Sequence, residues 1–144
     1  MKVSEVLEEI NRLTFERLKL HSITFEIEDF NDDVINVKKV EVIQSIMALM
    51  FNSMDAIRDQ SEKWIKLRIL NGKKEIAFII QDSGPRIPDE IAGKMMLPFF
   101  ITKPPEKSTG LGLSVAKTIA KSYRGDLLYD IESPYTTFIF RLSK

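Results

Sequence analysis

The chain has 144 residues, enough for about one domain with a real core. Its 21 Lys and Arg balance 21 Asp and Glu, so no net charge directs it to nucleic acid or to an anionic membrane surface. Cysteine is absent, which excludes a disulfide framework, a thiolate metal site and a thiol nucleophile; the apolar runs are also far too short for a membrane span or a signal-peptide core. These bounds describe a soluble, cytoplasmic segment with no direct membrane insertion, whether or not a parent protein is membrane-anchored.

Val3, Val6, Leu7, Ile10, Leu13, Phe15 and Leu18 fall near helical spacing and predict an amphipathic helix over 4–19. Ile23, Phe25 and Ile27 alternate with polar residues as in a strand, Asn31-Asp32-Asp33 makes a turn, and Val34 to Val37 reads as a short second strand. The longest helical pattern covers 39–59. Trp64 to Leu70 and Glu75 to Gln81 are strands joined by Asn71-Gly72, a strong hairpin signal. From Pro85 to Lys107 the chain is irregular and carries five of its six prolines. Leu111 to Ser122 is a helix ending near Gly125, and Leu127 to Ile131 and Thr136 to Leu142 are the last strands. With no repeat, low-complexity tract or internal boundary, residues 1–144 form a single domain of the α+β class. Its expected architecture is a two-layer α/β sandwich, a mixed and mostly antiparallel sheet packed on about three helices.

Three segments carry chemistry. On the long helix, Ile43, Met47, Met50, Met54 and Ile57 form a core stripe, while Ser45, Ala48, Asn52, Asp55 and Asp59 share another face at three- and four-residue steps. That small, polar face suits a surface beneath a ligand, and an asparagine carbonyl is a hard oxygen donor for Mg²⁺; an ordinary solvated helix face has the same pattern. Asp82 ends an apolar strand, where its carboxylate can accept a hydrogen bond from an exocyclic amine such as adenine N6, and Gly84 lets a planar base approach the backbone. A plain strand-ending turn also looks like this. Thr109, Gly110, Leu111, Gly112 and Leu113 open a helix whose backbone N–H groups and dipole favour an anion, and Lys103 and Lys107 stand just before it as mobile cations. Each segment alone is a weak signal. Their order along one chain describes a pocket for ATP.

In these segments the sequence resembles the ATP-binding catalytic domain of bacterial sensor histidine kinases. This is the Bergerat-type ATPase fold shared with gyrase, the mismatch-repair ATPase and the heat-shock chaperone. The resemblance runs from about residue 4 to the end. Gln44 to Ala56 is similar to the asparagine box, which implies Asn52 as Mg²⁺ ligand and Asp55 as a nucleotide contact. Asp82-Ser83-Gly84 is similar to the first glycine box, implying Asp82 as the adenine contact with Gly84 and Ile87 beside the base. Pro98 to Pro104 looks like the phenylalanine box, with a Thr102-Lys103-Pro104 ending similar to kinases of the nitrogen-regulator type, and implies a catalytic role for Lys103. Thr109 to Leu113 is similar to the second glycine box, and Thr136 to the threonine of the closing strand. Leu97, Phe99 and Phe100 would anchor a lid over 99–110.

Four positions depart from the pattern. Ala48 stands where the family often has asparagine and gyrase-like relatives a glutamate base; Arg86, Ser108 and Tyr135 each replace a glycine. Arg86 has three places to go: a phosphate, the pocket, or solvent. The family's phosphoacceptor histidine belongs to a preceding helical hairpin, whereas His21, the only histidine, reads as a surface residue. The chain is therefore expected to be a catalytic domain alone, monomeric in isolation, cut from a longer kinase or standing by itself. It would present Mg·ATP to a histidine on a separate phosphoacceptor domain and, through it, serve a response regulator. A degenerate domain that binds ATP weakly and acts as an interaction module, an anti-sigma-factor-type serine kinase and a gyrase-type ATPase are the alternatives.

Overall fold

A computed structural model of the protein describes residues 1–28, 30–32, 34–85, 88 and 112–144. The first helix, α1 (Val3–Leu20), buries Val3, Val6, Leu7, Ile10, Thr14 and Leu18. The predicted stripe was therefore partly misplaced: Leu13 and Phe15 are 44% and 62% exposed. Thr14 takes the inward position because its hydroxyl donates to the Ile10 carbonyl at 2.7 Å, which satisfies the polar atom within its own helix. Strand β1 (Thr24–Ile27) follows, then helix α2 (Lys39–Ala56), strands β2 (Trp64–Asn71) and β3 (Glu75–Pro85), helix α3 (Gly112–Ser122), and strands β4 (Asp126–Tyr129) and β5 (Tyr135–Ser143).

The sheet order is β1-β2-β3-β5-β4. Only β1 and β2 run parallel; the other three pairings are antiparallel, so the expected mixed, mostly antiparallel sheet is present. One face is apolar by strict alternation: Ile65, Leu67, Ile69, Ile76, Phe78, Ile80, Leu127, Phe138, Phe140 and Leu142 are buried. They form one core with the inner faces of α1, α2 and α3, giving the two-layer sandwich.

Two local expectations fail. Val34 to Val37 is not a strand: Val34 makes one isolated antiparallel bridge to Lys2, and Ile35 exchanges two 2.8 Å bonds with Met1. The loop is tied to α1 instead, where Asp32 accepts the Ser4 N–H and hydroxyl at 2.8 and 2.7 Å and caps the helix from a distance. Those bonds, the backbone one first, hold the Asp32 carboxyl below its ordinary pKa. The β2–β3 hairpin exists, but its tip is not Asn71-Gly72. Asn71 pairs with Ile76 and the Gly72 N–H donates to the Glu75 carbonyl at 2.9 Å, so Lys73-Lys74 turn the chain. The Asn71 amide donates instead to the Asn31 carbonyl at 2.8 Å.

Candidate functional site

Strands β3 and β5 pair residue for residue from Glu75↔Ser143 to Gln81↔Thr137, and their next pairing is Pro85↔Tyr135. Asp82, Ser83 and Gly84 therefore face the single residue Thr136 across a bulge. Such a bulge interrupts the ladder and re-aims side chains. The backbone groups it releases are satisfied locally: Asp82 Oδ1 accepts the Gly84 N–H at 2.7 Å, and the Thr136 hydroxyl donates to the Pro85 carbonyl at 2.8 Å. Asp82 is 0% exposed, on the core side of the sheet with Gly84 and Thr136. A Cβ on Gly84 would lie 2.7 Å from Asp82 Oδ1, 3.5 Å from Thr136 Oγ1 and 3.7 Å from Ile57 Cγ2, so only glycine lets the carboxylate fold back onto the chain here. The structure thus brings Asp82, Gly84 and Thr136 together.

Helix α2 contacts both β3 and α3. Ile57 at its C-cap touches the Gly84 position, and Ala48 lies 3.6 Å from where a Cβ on Gly112 would stand. Asn52, one turn beyond Ala48 on the same helix face and half-buried, lies between these two contacts along α2. Asp55 is half-buried on the next turn. Ser45, expected on this polar face, is instead fully buried, with its hydroxyl donating to the Glu41 carbonyl at 2.9 Å.

At the start of α3, Leu113 is buried and Gly112 exposed. Gly112 has no positive φ, and a Cβ there would make only an ordinary contact. Glycine in a helix costs about 1 kcal/mol against alanine. Neither backbone strain nor packing explains it, whereas close approach of a ligand to the helix start would.

Arg86, Ile87, Leu97, Phe99, Phe100, Lys103, Lys107, Ser108, Thr109, Gly110 and Leu111 lie outside the described residues. Tyr135 is described, and it does not enter the Asp82 side. Its ring packs edge-on against Trp64 on the opposite face of the sheet, with centroids 4.9 Å apart. Sequence reasoning missed Ser83 and Trp64 behind the bulge. Strict strand alternation through Asp82 would have placed Ser83 there.

For a divalent metal the fit rests on donor chemistry. Among the described residues no group of three or more His, Cys, Asp or Glu converges, and the oxygen-bearing side chains on this face of α2 include Asn52 and Asp55. That set suits Mg²⁺, which keeps waters and takes substrate phosphates as most of its ligands.

Residues 37–144 match the family described as histidine kinase-, DNA gyrase B-, and HSP90-like ATPase, and the chain belongs to it. The C4-dicarboxylate transport sensor protein DctB of Rhizobium meliloti (strain 1021) is 29% identical over 106 residues, covering 74% of this chain and 17% of the relative. The sensor histidine kinase GlnK of Bacillus subtilis (strain 168) is 31% identical over 104 residues, covering 70% of this chain and 25% of the relative. The chain therefore spans a quarter or less of these relatives. The nucleotide-free catalytic domain of histidine kinase ThkA superposes with a TM-score of 0.88 at 27% identity, covering 100% of this chain and 93% of that one. The same kinase has been solved in complex with response regulator protein TrrA, and there this chain covers 41% of the kinase. Among the described residues no helix is long and apolar enough to cross a membrane.

Proposed function

We propose that residues 1–144 act as one catalytic domain of a two-component sensor histidine kinase, holding Mg·ATP for phosphoryl transfer to a histidine on a separate domain that in turn serves a response regulator. The observation that carries this reading is the bulge at Asp82-Ser83-Gly84, which buries a carboxylate beside a glycine on the side of the sheet that α2 covers. Helix α1 and strand β1 precede the matched region, yet β1 pairs with β2 and α1 packs on α2, which supports one unit.

In this reading Asp82 accepts an N–H from the adenine amine, and Thr136 keeps the end of β3 in place through Pro85. Asn52 would supply an oxygen to Mg²⁺, which when bound neutralises phosphate charge, and Asp55 contacts the nucleotide. The segment from Thr109 to Leu113 caps the phosphates with backbone N–H groups, and Lys103 adds a positive charge. Ile87 lies beside the base. The bond from the γ-phosphorus to ADP breaks as a bond to an imidazole nitrogen forms, and the imidazole proton leaves to a base on the acceptor domain. Such chemistry asks the protein mainly for positioning and charge neutralisation. The Thr102-Lys103-Pro104 segment supports a kinase of the nitrogen-regulator type.

Tyr135 is one of four departures from the family pattern, and its place on the far face of the sheet supports the binding-competent reading. Calorimetric titration with a non-hydrolysable ATP analogue, with and without Mg²⁺, tests it. Binding that tightens with the metal, followed by transfer from ATP to an added histidine domain, is the expected result. No binding at millimolar nucleotide overturns it.

A further inference from the structure

The side chains behind the bulge have no part in the reaction as described. Ser83 alternates with Asp82 and Gly84 and so projects from the opposite face of the sheet, where its hydroxyl accepts the Trp64 N–H at 3.2 Å and donates to the Glu62 carbonyl at 3.3 Å. The Gln60 amide lies against the same oxygens. With its NH₂ turned toward them it donates to Ser83 O and Glu62 O at 3.2 Å and to Ser83 Oγ at 3.0 Å; the reverse orientation would set an amide oxygen against two carbonyls. The single hydroxyl proton then goes to Glu62, and both remaining Ser83 contacts are accepted ones.

Two further ties lie on this face. Tyr135, whose pairing with Pro85 closes the bulge, packs edge-on against Trp64. One step before the bulge, the Gln81 amide donates to the Ser133 and Thr137 hydroxyls at 3.1 Å each. On the β5 side the three bulge residues share one partner residue and lose the regular ladder, while on the β2 side Asp82 still pairs with Ile65. The outer contact with the α2–β2 loop and the first residue of β2 supports their aim where the β5 ladder does not. Tyr135 occupies a position where the resembled pattern has glycine, so the aromatic part of the contact is a feature of this chain.

We propose that Ser83 and Tyr135, with Trp64, are positioning residues that brace the bulge from behind and hold the Asp82 carboxylate at the angle needed to read the base amine. This rests on the assignment of Asp82 as the base-reading group. A brace of this kind acts on discrimination, because only the hydrogen bond to the amine depends on the angle of Asp82. A merely structural role lowers affinity for every nucleotide alike.

The test is the ratio of dissociation constants for ATP and for purine riboside triphosphate, which lacks the 6-amino group. It is measured for the unmodified chain, Asp82→Asn, Ser83→Ala, Tyr135→Gly and Tyr135→Phe. The unmodified chain should prefer ATP, and Asp82→Asn should lose that preference. Ser83→Ala and Tyr135→Gly should weaken ATP binding about tenfold, the worth of one hydrogen bond to a charged group, while leaving the purine analogue within about twofold. Tyr135→Phe keeps the ring and should keep the preference. If Ser83→Ala and Tyr135→Phe both bind with the original ratio and Tyr135→Gly either does the same or fails to fold, the brace is refuted while Asp82 stands. An original ratio in Asp82→Asn instead removes the base-reading assignment itself.

Discussion

Two glycines at opposite ends of the β3–β5 region meet their surroundings in different ways. A Cβ on Gly84 would press on the tip of the Asp82 side chain at 2.7 Å, a group that can swing aside at the cost of its aim. A Cβ on Gly125 would fall 1.7 Å from the Arg141 carbonyl oxygen and 2.6 Å from its carbon, main chain that cannot move without parting α3 from β5. Gly125 also ends α3, its N–H returning to the Ala120 carbonyl at 2.8 Å after Arg124 has turned the chain at φ 58. The contrast separates two demands on one residue type: at one end glycine makes the fold possible, and at the other it lets a buried carboxylate fold back onto its own strand.

The comparison can be broken most forcefully at Gly125. Gly125→Ala is expected to cost at least about 3 kcal/mol, read as a lower urea midpoint, because backbone must be displaced. Asp82→Asn should act oppositely, leaving the urea midpoint nearly unchanged while ATP affinity falls by about 2–3 kcal/mol, roughly 30- to 150-fold, in calorimetry. Tight ATP binding by that variant would end the contrast.

A finer test uses acid. Burial alone would raise the Asp126 pKa, but hydrogen bonds from Lys117, the Leu127 N–H and Lys121 outweigh it and hold the carboxyl below the usual range. A depressed folded pKa contributes stability above the unfolded value, and that contribution is lost as pH falls through the carboxylate range toward the folded value. Asp126→Asn should therefore cost about 1 kcal/mol at neutral pH and flatten the acid limb of the stability curve, without changing nucleotide affinity. The smallest effect is a gain: Arg124→Gly relieves the left-handed strain beside Gly125 and should add about 0.5–1 kcal/mol.

The sheet was largely legible from the sequence, because buried positions alternate cleanly along β2 and β3 and along β5 from Phe138 onward. The α1 face was less so: Leu13 and Phe15 fit a helical stripe as well as the true core residues, and nothing in the pattern shows that Thr14 can satisfy its hydroxyl on its own helix. The Asn71-Gly72 signal found a hairpin but not its tip, since Asn71 is used by a contact forty residues away in sequence. At the site, Asp82, Gly84 and Thr136, all expected on the adenine side, lie beside one another. The bulge that makes them neighbours was not visible, because a register shift depends on the partner strand. Which face of β5 carries Tyr135 is likewise not legible from its sequence position alone.

The parallel pairing of β1 with β2 has a kinetic consequence. The β2–β3 and β4–β5 hairpins join residues close in sequence, but β1 reaches Trp64 to Leu67 only after the whole of α2 has been threaded between them. Parallel contacts of such separation close late, since their loop entropy is spent before any contact is gained. The β3–β5 pairing spans still more sequence, so a refolding chain would gain its two hairpins first and enclose the helix bearing Asn52 only in this later, long-range stage of sheet assembly.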